Sequence, residues 1–158
     1  MLKKISIFYL VILLGCSGMV FAAEKQGLSD VKFTLSSSAF KNNMMMPPYC
    51  SSRGGNKSPA LQWSNVPEGT VSFSLYCIDN DPPANGYIHW DITNIPGFYT
   101  ALPKGIPAEK NWQDGIVQKT TWCGPFPPNG VHHYNFVLEA KDAKGKTLAT
   151  AKLIGLSD

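Results

Sequence analysis

The chain has 158 residues, 44% of them apolar, and carries 14 Lys and Arg against 11 Asp and Glu. That length encloses one hydrophobic core rather than several. The charge balance is close to even, and no run of Lys or Arg is interleaved with aromatics, which excludes nucleic acid as a partner.

The first element is an export signal. Lys3 and Lys4 form its positive region, Ile5 to Leu14 its apolar region, and Val20-Phe21-Ala22 a small-x-small cleavage site. Cleavage after Ala22 removes two of the basic residues and leaves a nearly neutral chain, residues 23–158, expected as a single domain in the periplasm or outside the cell. The apolar run is short of the roughly 20 residues a spanning helix needs, so no transmembrane segment is expected in the mature protein. A rival reading takes Leu13-Leu14-Gly15-Cys16 as a lipoprotein signal with Cys16 lipidated. Against it, Met19-Val20-Phe21 continues the apolar stretch where a lipoprotein tether is polar.

Beyond the leader, helical periodicity is scarce. Strands are expected at Val31 to Leu35, Leu61 to Trp63, Val71 to Ile78, Tyr87 to Thr93, Gly115 to Gln118, Tyr134 to Glu139 and Leu148 to Ile154. The strongest alternation is Val71, Phe73, Leu75 and Cys77 against Ser72, Ser74 and Tyr76, a period of two that marks a half-buried strand. Turn signals separate these runs: Ser52-Arg53-Gly54-Gly55-Asn56, Pro67-Glu68-Gly69, Asn94-Ile95-Pro96-Gly97 and Lys144-Gly145. The class is all-β, an antiparallel Greek-key sandwich with few short helices. Met44-Met45-Met46 reads as a loop packed on the sandwich edge.

The residues with chemistry lie in two places. Asp79-Asn80-Asp81-Pro82-Pro83 closes the third expected strand, with His89-Trp90 soon after. Gly124-Pro125-Phe126-Pro127-Pro128-Asn129-Gly130 precedes Val131-His132-His133-Tyr134. Continued alternation puts Asp79 and Asp81 on the side of Leu75 and Cys77. It sets His89 and Asp91 on the face opposite Ile88, Trp90 and Ile92. His132 shares parity with Tyr134 and Phe136, and His133 points to solvent.

This pairing, D-x-D-x-P, then H-W, then G-P-x-P-P-x-G-x-H-x-Y-x-F, resembles the phosphatidylethanolamine-binding protein family in its bacterial Raf-kinase-inhibitor-like branch. Ser58-Pro59-Ala60-Leu61-Gln62-Trp63, Val66-Pro67-Glu68-Gly69-Thr70-Val71-Ser72-Phe73 and Ile95-Pro96 fit the same pattern in order. The resemblance implies a sandwich whose Asp79, Asp81, His89, Pro127, His132 and Tyr134 surround a small anion, phosphate or a phospholipid headgroup. Each Asp would accept a proton from an imidazole nitrogen, leaving the other N–H for the ligand. Asp81 has an equal claim as a turn cap. Relatives are described as lipid-binding proteins, kinase regulators and protease inhibitors, which implies binding rather than catalysis. The expectation is therefore an exported, non-enzymatic protein that also modulates a protein partner, with no cofactor, metal or catalytic residue. The alternatives are an inhibitor of an exported protease or a metal-dependent hydrolase.

Cys50 and Cys123 sit in loops beside the two halves of the proposed site, as cysteines do in several bacterial relatives, which implies that they pair. Those relatives carry the second cysteine inside the G-P-C-P-P run, where this chain has Phe126. Relatives also carry a longer insertion where this chain has only Lys141 to Thr150, and a C-terminal helix that gates the pocket. A shallow, open pocket is expected.

Overall fold

A computed structural model describes residues 31–158. The export signal and the lipoprotein alternative at Cys16 lie outside the described residues.

Among the described residues nine strands form two sheets. They are β1 (Thr34–Ser36), β2 (Met44–Met45), β3 (Leu61–Ser64), β4 (Ser72–Asp79), β5 (Tyr87–Pro96), β6 (Ala101–Leu102), β7 (Val117–Thr120), β8 (His132–Lys141) and β9 (Thr147–Ser157). The small sheet runs β1-β3-β6 and the large one β2-β9-β8-β4-β5-β7. Among the described residues helix is limited to two 3₁₀ turns, Pro48–Cys50 and Gln113–Gly115. The expected all-β class holds. The expected start of β7 at Gly115 moves to Val117, because Asp114 adopts φ 55° and Gly115 φ 78° in the turn before it. The methionine run is not a loop. Met44 and Met45 form an edge strand parallel to β9, one exception to an otherwise antiparallel arrangement.

The core follows from the alternation on β4. Phe73, Leu75 and Cys77 are fully buried, while Ser72, Ser74 and Tyr76 between them are partly exposed. Opposite them on β8, Phe136, Leu138 and Ala140 share the inner face. The small sheet closes over this surface: Trp63 meets the Phe73 ring edge-on at 5.3 Å, and Phe33 stacks on it at 6.1 Å. Burying each such aromatic contributes about 1.5–3 kcal/mol. The buried Trp90 indole donates to Gln118 Oε1 at 2.9 Å, and the Gln118 amide donates to the Pro107 and Glu109 carbonyls, so this polar side chain is satisfied in the core.

Within the large sheet the order β8-β4-β5-β7 is a Greek key, in which β8 returns from the far edge to pair with β4. The returning segment, 121–131, passes over the end of the sheet where β4 stops and β5 and β8 begin. A second loop holds it there. Ser52 N–H donates to the Pro125 carbonyl at 3.0 Å, Ser52 Oγ to the Gly124 carbonyl at 2.7 Å, and Gly124 N–H to Asn56 Oδ1 at 2.7 Å. A Cβ on Gly124 would stand 2.2 Å from the Cys50 carbonyl oxygen and 2.8 Å from Ser52 N. Only glycine permits this approach.

Lys141 to Thr150 spans the turn of the β8–β9 hairpin, built on Asp142 and on Gly145 at φ 78°. It lies at the far end of β8 from His132, roughly 30 Å away at the rise of a strand. This turn contributes no residue to the lining of the proposed pocket.

The Gly124→Ala variant is expected to lose about 1–3 kcal/mol of stability in urea unfolding, because the added methyl meets backbone that has no room to shift. An unchanged midpoint would show that the two loops are not in this contact.

Candidate functional site

Where β4, β5 and β8 meet the returning loop there is a cavity of about 350 Å³. Asp79, His89, His132 and Tyr134 form its floor and are 2%, 6%, 3% and 1% exposed. Its rim is made by Pro83, Ala84, Tyr87, Phe126, Pro127 and Pro128, with Phe126 and Tyr87 more than half exposed, so the mouth opens to solvent. Five of the six residues proposed from sequence line this cavity. Asp81 does not.

Three features of the sheet bring the floor together. Asp79 is the last inward position of β4 and pairs with Tyr134 on β8 and Tyr87 on β5. His132 precedes Tyr134 by two residues and so faces the same way. His89 arrives by a different route. Cys77 pairs with Trp90 and Ile78 with Ile88, leaving His89 as an extra residue in a β-bulge. Strict alternation set His89 against Trp90; the bulge instead buries both, because the added residue shifts the parity of everything before it. Tyr87 thereby becomes a cavity residue. Reading the alternation missed it, since nothing in the local sequence marks the bulge.

The hydrogen bonds determine what each group presents. His132 Nδ1–H donates to Asp79 Oδ2 at 2.7 Å with both side chains buried, which leaves Nε2 for the cavity. His89 Nδ1–H donates to the Cys123 carbonyl at 2.5 Å, again freeing Nε2. The His89 ring sits edge-on between Tyr87 at 4.7 Å and Tyr134 at 4.9 Å. Burial holds His89 below the ordinary imidazole value of 6.5, with the Cys123 carbonyl and Asp79 opposing that effect and His132 adding to it. Burial first, then the Asp79 charge, pushes the Tyr134 phenol well up, so it remains a hydroxyl that can donate.

Asp81 turns outward because the chain leaves the extended conformation after Asp79. Its N–H donates to Asp79 Oδ1 at 2.9 Å, an Asx turn in which Asp79 supplies the capping oxygen, so the cap role expected of Asp81 falls to Asp79. Its carboxylate accepts from the N–H of His133 at 2.6 Å and from His133 Nδ1 at 2.8 Å. These bonds hold the Asp81 carboxyl below its usual value. His133 points to solvent, as expected.

Asp79, Asp81 and His132 offer ligand atoms within 4.8 Å of one another, a spacing a metal ion could use. The hydrogen bonds already account for it: His132 Nδ1 faces Asp79 Oδ2 and Asp79 Oδ1 receives the Asp81 amide. A cation would have to displace both contacts, so the arrangement fits a hydrogen-bonded chain better than a metal centre.

The expected Cys50–Cys123 disulfide is not formed; both are free thiols, as is Cys77. The two loops are adjacent, but their sulfurs part. Cys50 is buried and hydrogen-bonded with Tyr49, and desolvation pushes its thiol up to about 12. Cys123 lines the cavity, where its sulfur accepts from the Tyr87 hydroxyl at 3.8 Å.

A family model described as phosphatidylethanolamine-binding protein matches residues 36–156. The chain belongs to that family. A UPF0098 protein of Methanothermobacter thermautotrophicus is 35% identical over 145 residues, 77% of this chain and 96% of the relative. Escherichia coli YbcL is 42% identical over 94 residues, which cover 52% of this chain and about half, 51%, of YbcL. The crystal structure of YbcL superposes with a TM-score of 0.71 at 26% identity, covering 80% of this chain and 98% of that one. The homolog CT736 from Chlamydia trachomatis gives the same TM-score at 27% identity, covering 80% and 97%. LppC of Mycobacterium tuberculosis, which carries a lipoprotein name, is 32% identical over 108 residues, 66% of this chain and 53% of LppC. Among the described residues no helix is long and apolar enough to cross a membrane.

Replacing Asp79 with Ala strands a buried imidazole and is expected to cost on the order of 3 kcal/mol in urea unfolding. Asp81→Ala breaks a pair at the surface and is expected to cost less than about 1 kcal/mol. Equal losses would mean that the two carboxylates are equally buried. Thiol titration of the native protein is expected to modify Cys123 alone of the three described cysteines, with Cys50 and Cys77 reacting after unfolding. A silent Cys123 would point to the disulfide.

Proposed function

We propose that this protein is an exported, non-enzymatic binding protein whose cavity holds a small anion, phosphate or the phosphoryl part of a phospholipid headgroup, and whose rim meets a protein partner. The buried Asp79–His132 pair beside His89 carries the reading. An acidic residue at the base of an anion site is physically consistent because its carboxylate is taken up by His132 Nδ1–H, while His132 Nε2 and the Tyr134 hydroxyl are left facing the cavity. Family membership and the lipoprotein name of LppC support an exported binding role.

Binding rather than turnover is supported by how the cavity's nucleophiles are used. Ser52 Oγ donates to the Gly124 carbonyl, and the Cys123 sulfur accepts from Tyr87. Among the lining residues neither nucleophile is hydrogen-bonded to an imidazole nitrogen, the contact a general base requires.

The depressed His89 dictates how binding responds to pH. Without ligand, the unfolded chain takes up a proton at its ordinary value of 6.5 before the folded protein does. His89 therefore withdraws stability as pH falls through 6.5, and the loss is complete below the folded value. A bound anion favours the imidazolium and reverses part of that loss. Sulfate, whose charge is constant over this range, isolates the protein's own titration. Its stabilisation of the melting temperature is expected to be larger at about pH 5.5 than at about pH 7.5, and to shrink in His89→Gln and His132→Gln. Equal stabilisation at both pH values in the wild type would rule out a titrating imidazole as the anion's partner.

A further inference from the structure

Arg53 is the chain's single arginine. Its guanidinium carbon lies 4.0 Å from the centre of the Phe126 ring, and Phe126 is 59% exposed at the rim of the cavity. Stacking through its face leaves a guanidinium's in-plane N–H groups pointing away from the ring. Among the described residues none of these donors reaches a carboxylate.

The backbone beneath Arg53 is fixed. Ser52, its neighbour, lines the cavity and is bonded to the Gly124 and Pro125 carbonyls. Arg53 is thus a long, unpaired cation mounted on a rigid base beside the mouth. Inside, the carboxylates are already engaged or turned away: Asp79 accepts from His132, and Asp81 faces His133 outside. No Lys or Arg lines the cavity, and its rim toward the mouth is Pro83, Phe126, Pro127 and Pro128. An anion seated on His89, His132 and Tyr134 would have any second negative group directed past this apolar rim, where Arg53 stands.

We infer that Arg53 is a specificity-determining residue that selects ligands carrying two linked phosphoryl groups, the first held by the histidines and the second by the guanidinium at the mouth. This rests on the anion reading above. A planar guanidinium offers paired N–H donors that match two phosphoryl oxygens, and Phe126 acts as the platform from which it swings.

Calorimetric titrations of the full protein with inorganic phosphate and inorganic pyrophosphate, at fixed ionic strength near pH 6, separate the two claims. Wild type is expected to bind pyrophosphate more tightly than phosphate. In Arg53→Ala that preference is expected to fall by about fivefold, the scale of one exposed charge pair, with phosphate affinity unchanged. Arg53 is exposed, so the variant keeps its fold. An unchanged preference in Arg53→Ala, or wild type that binds phosphate with no preference for pyrophosphate, overturns the role of Arg53 and leaves the anion pocket standing. Wild type that binds neither anion overturns both.

Discussion

One extra residue in β5 governs the site. Trp90 and Ile92 must face inward to fill the core against Cys77 and Leu75, and in a regular strand that would turn Tyr87 and His89 outward. The bulge at His89 removes the conflict. Pairing returns at Ile78 with Ile88 one residue out of step, so the same strand gives tryptophan to the core and both Tyr87 and His89 to the cavity. Bulges persist where a side chain has to be re-aimed, because the lost ladder bond must be offset by packing or hydrogen bonding elsewhere. Here the offset is visible. The His89 carbonyl accepts from Cys123 N–H at 2.8 Å while its ring donates back to the Cys123 carbonyl.

That exchange ties the bulge to the Greek-key crossover. The crossover is held from its other side by Ser52 and Asn56, with Gly124 against the Cys50 backbone. The cavity is therefore an outcome of chain topology. β4, β5 and β8 supply its floor, and the returning connection much of its rim. The hydrophobic core and the polar site are consecutive positions on one sheet face, Phe73, Leu75 and Cys77 leading to Asp79. A carboxylate at the end of such a row is tolerable because His132, two residues along β8 from its register partner Tyr134, donates a hydrogen bond to it.

The two aspartates show how much a short turn changes. They are two residues apart and were expected to point the same way. Asp79 is in the last extended position, is buried and caps the turn by accepting the Asp81 N–H; Asp81 lies past the end of the strand and holds His133 at the surface. The surface pair is open to solvent, whereas the buried pair is shielded from it. Electrostatics in the site is accordingly divided between a dry floor and a wet flank, with a single arginine on a third side.

Much of this was legible in the amino-acid order. The alternation from Ser72 to Ile78 and from Tyr134 to Glu139 determined two central strands and their inward faces, because a period of two has one buried solution. The ordered motifs around Asp79, His89 and His132 pointed to the family and to five of the residues that line the cavity, though not to Tyr87. Tertiary structure alone decided the rest. The bulge at His89 depends on a partner strand that a linear pattern does not contain. The edge strand at Met44 exists only because β9 offers unpaired backbone beside it, and the free sulfurs of Cys50 and Cys123 part because packing directs one to Tyr49 and the other to Tyr87. Spacing along a chain determines which face a residue can occupy, while its aim and its partners depend on neighbours brought from far away in sequence.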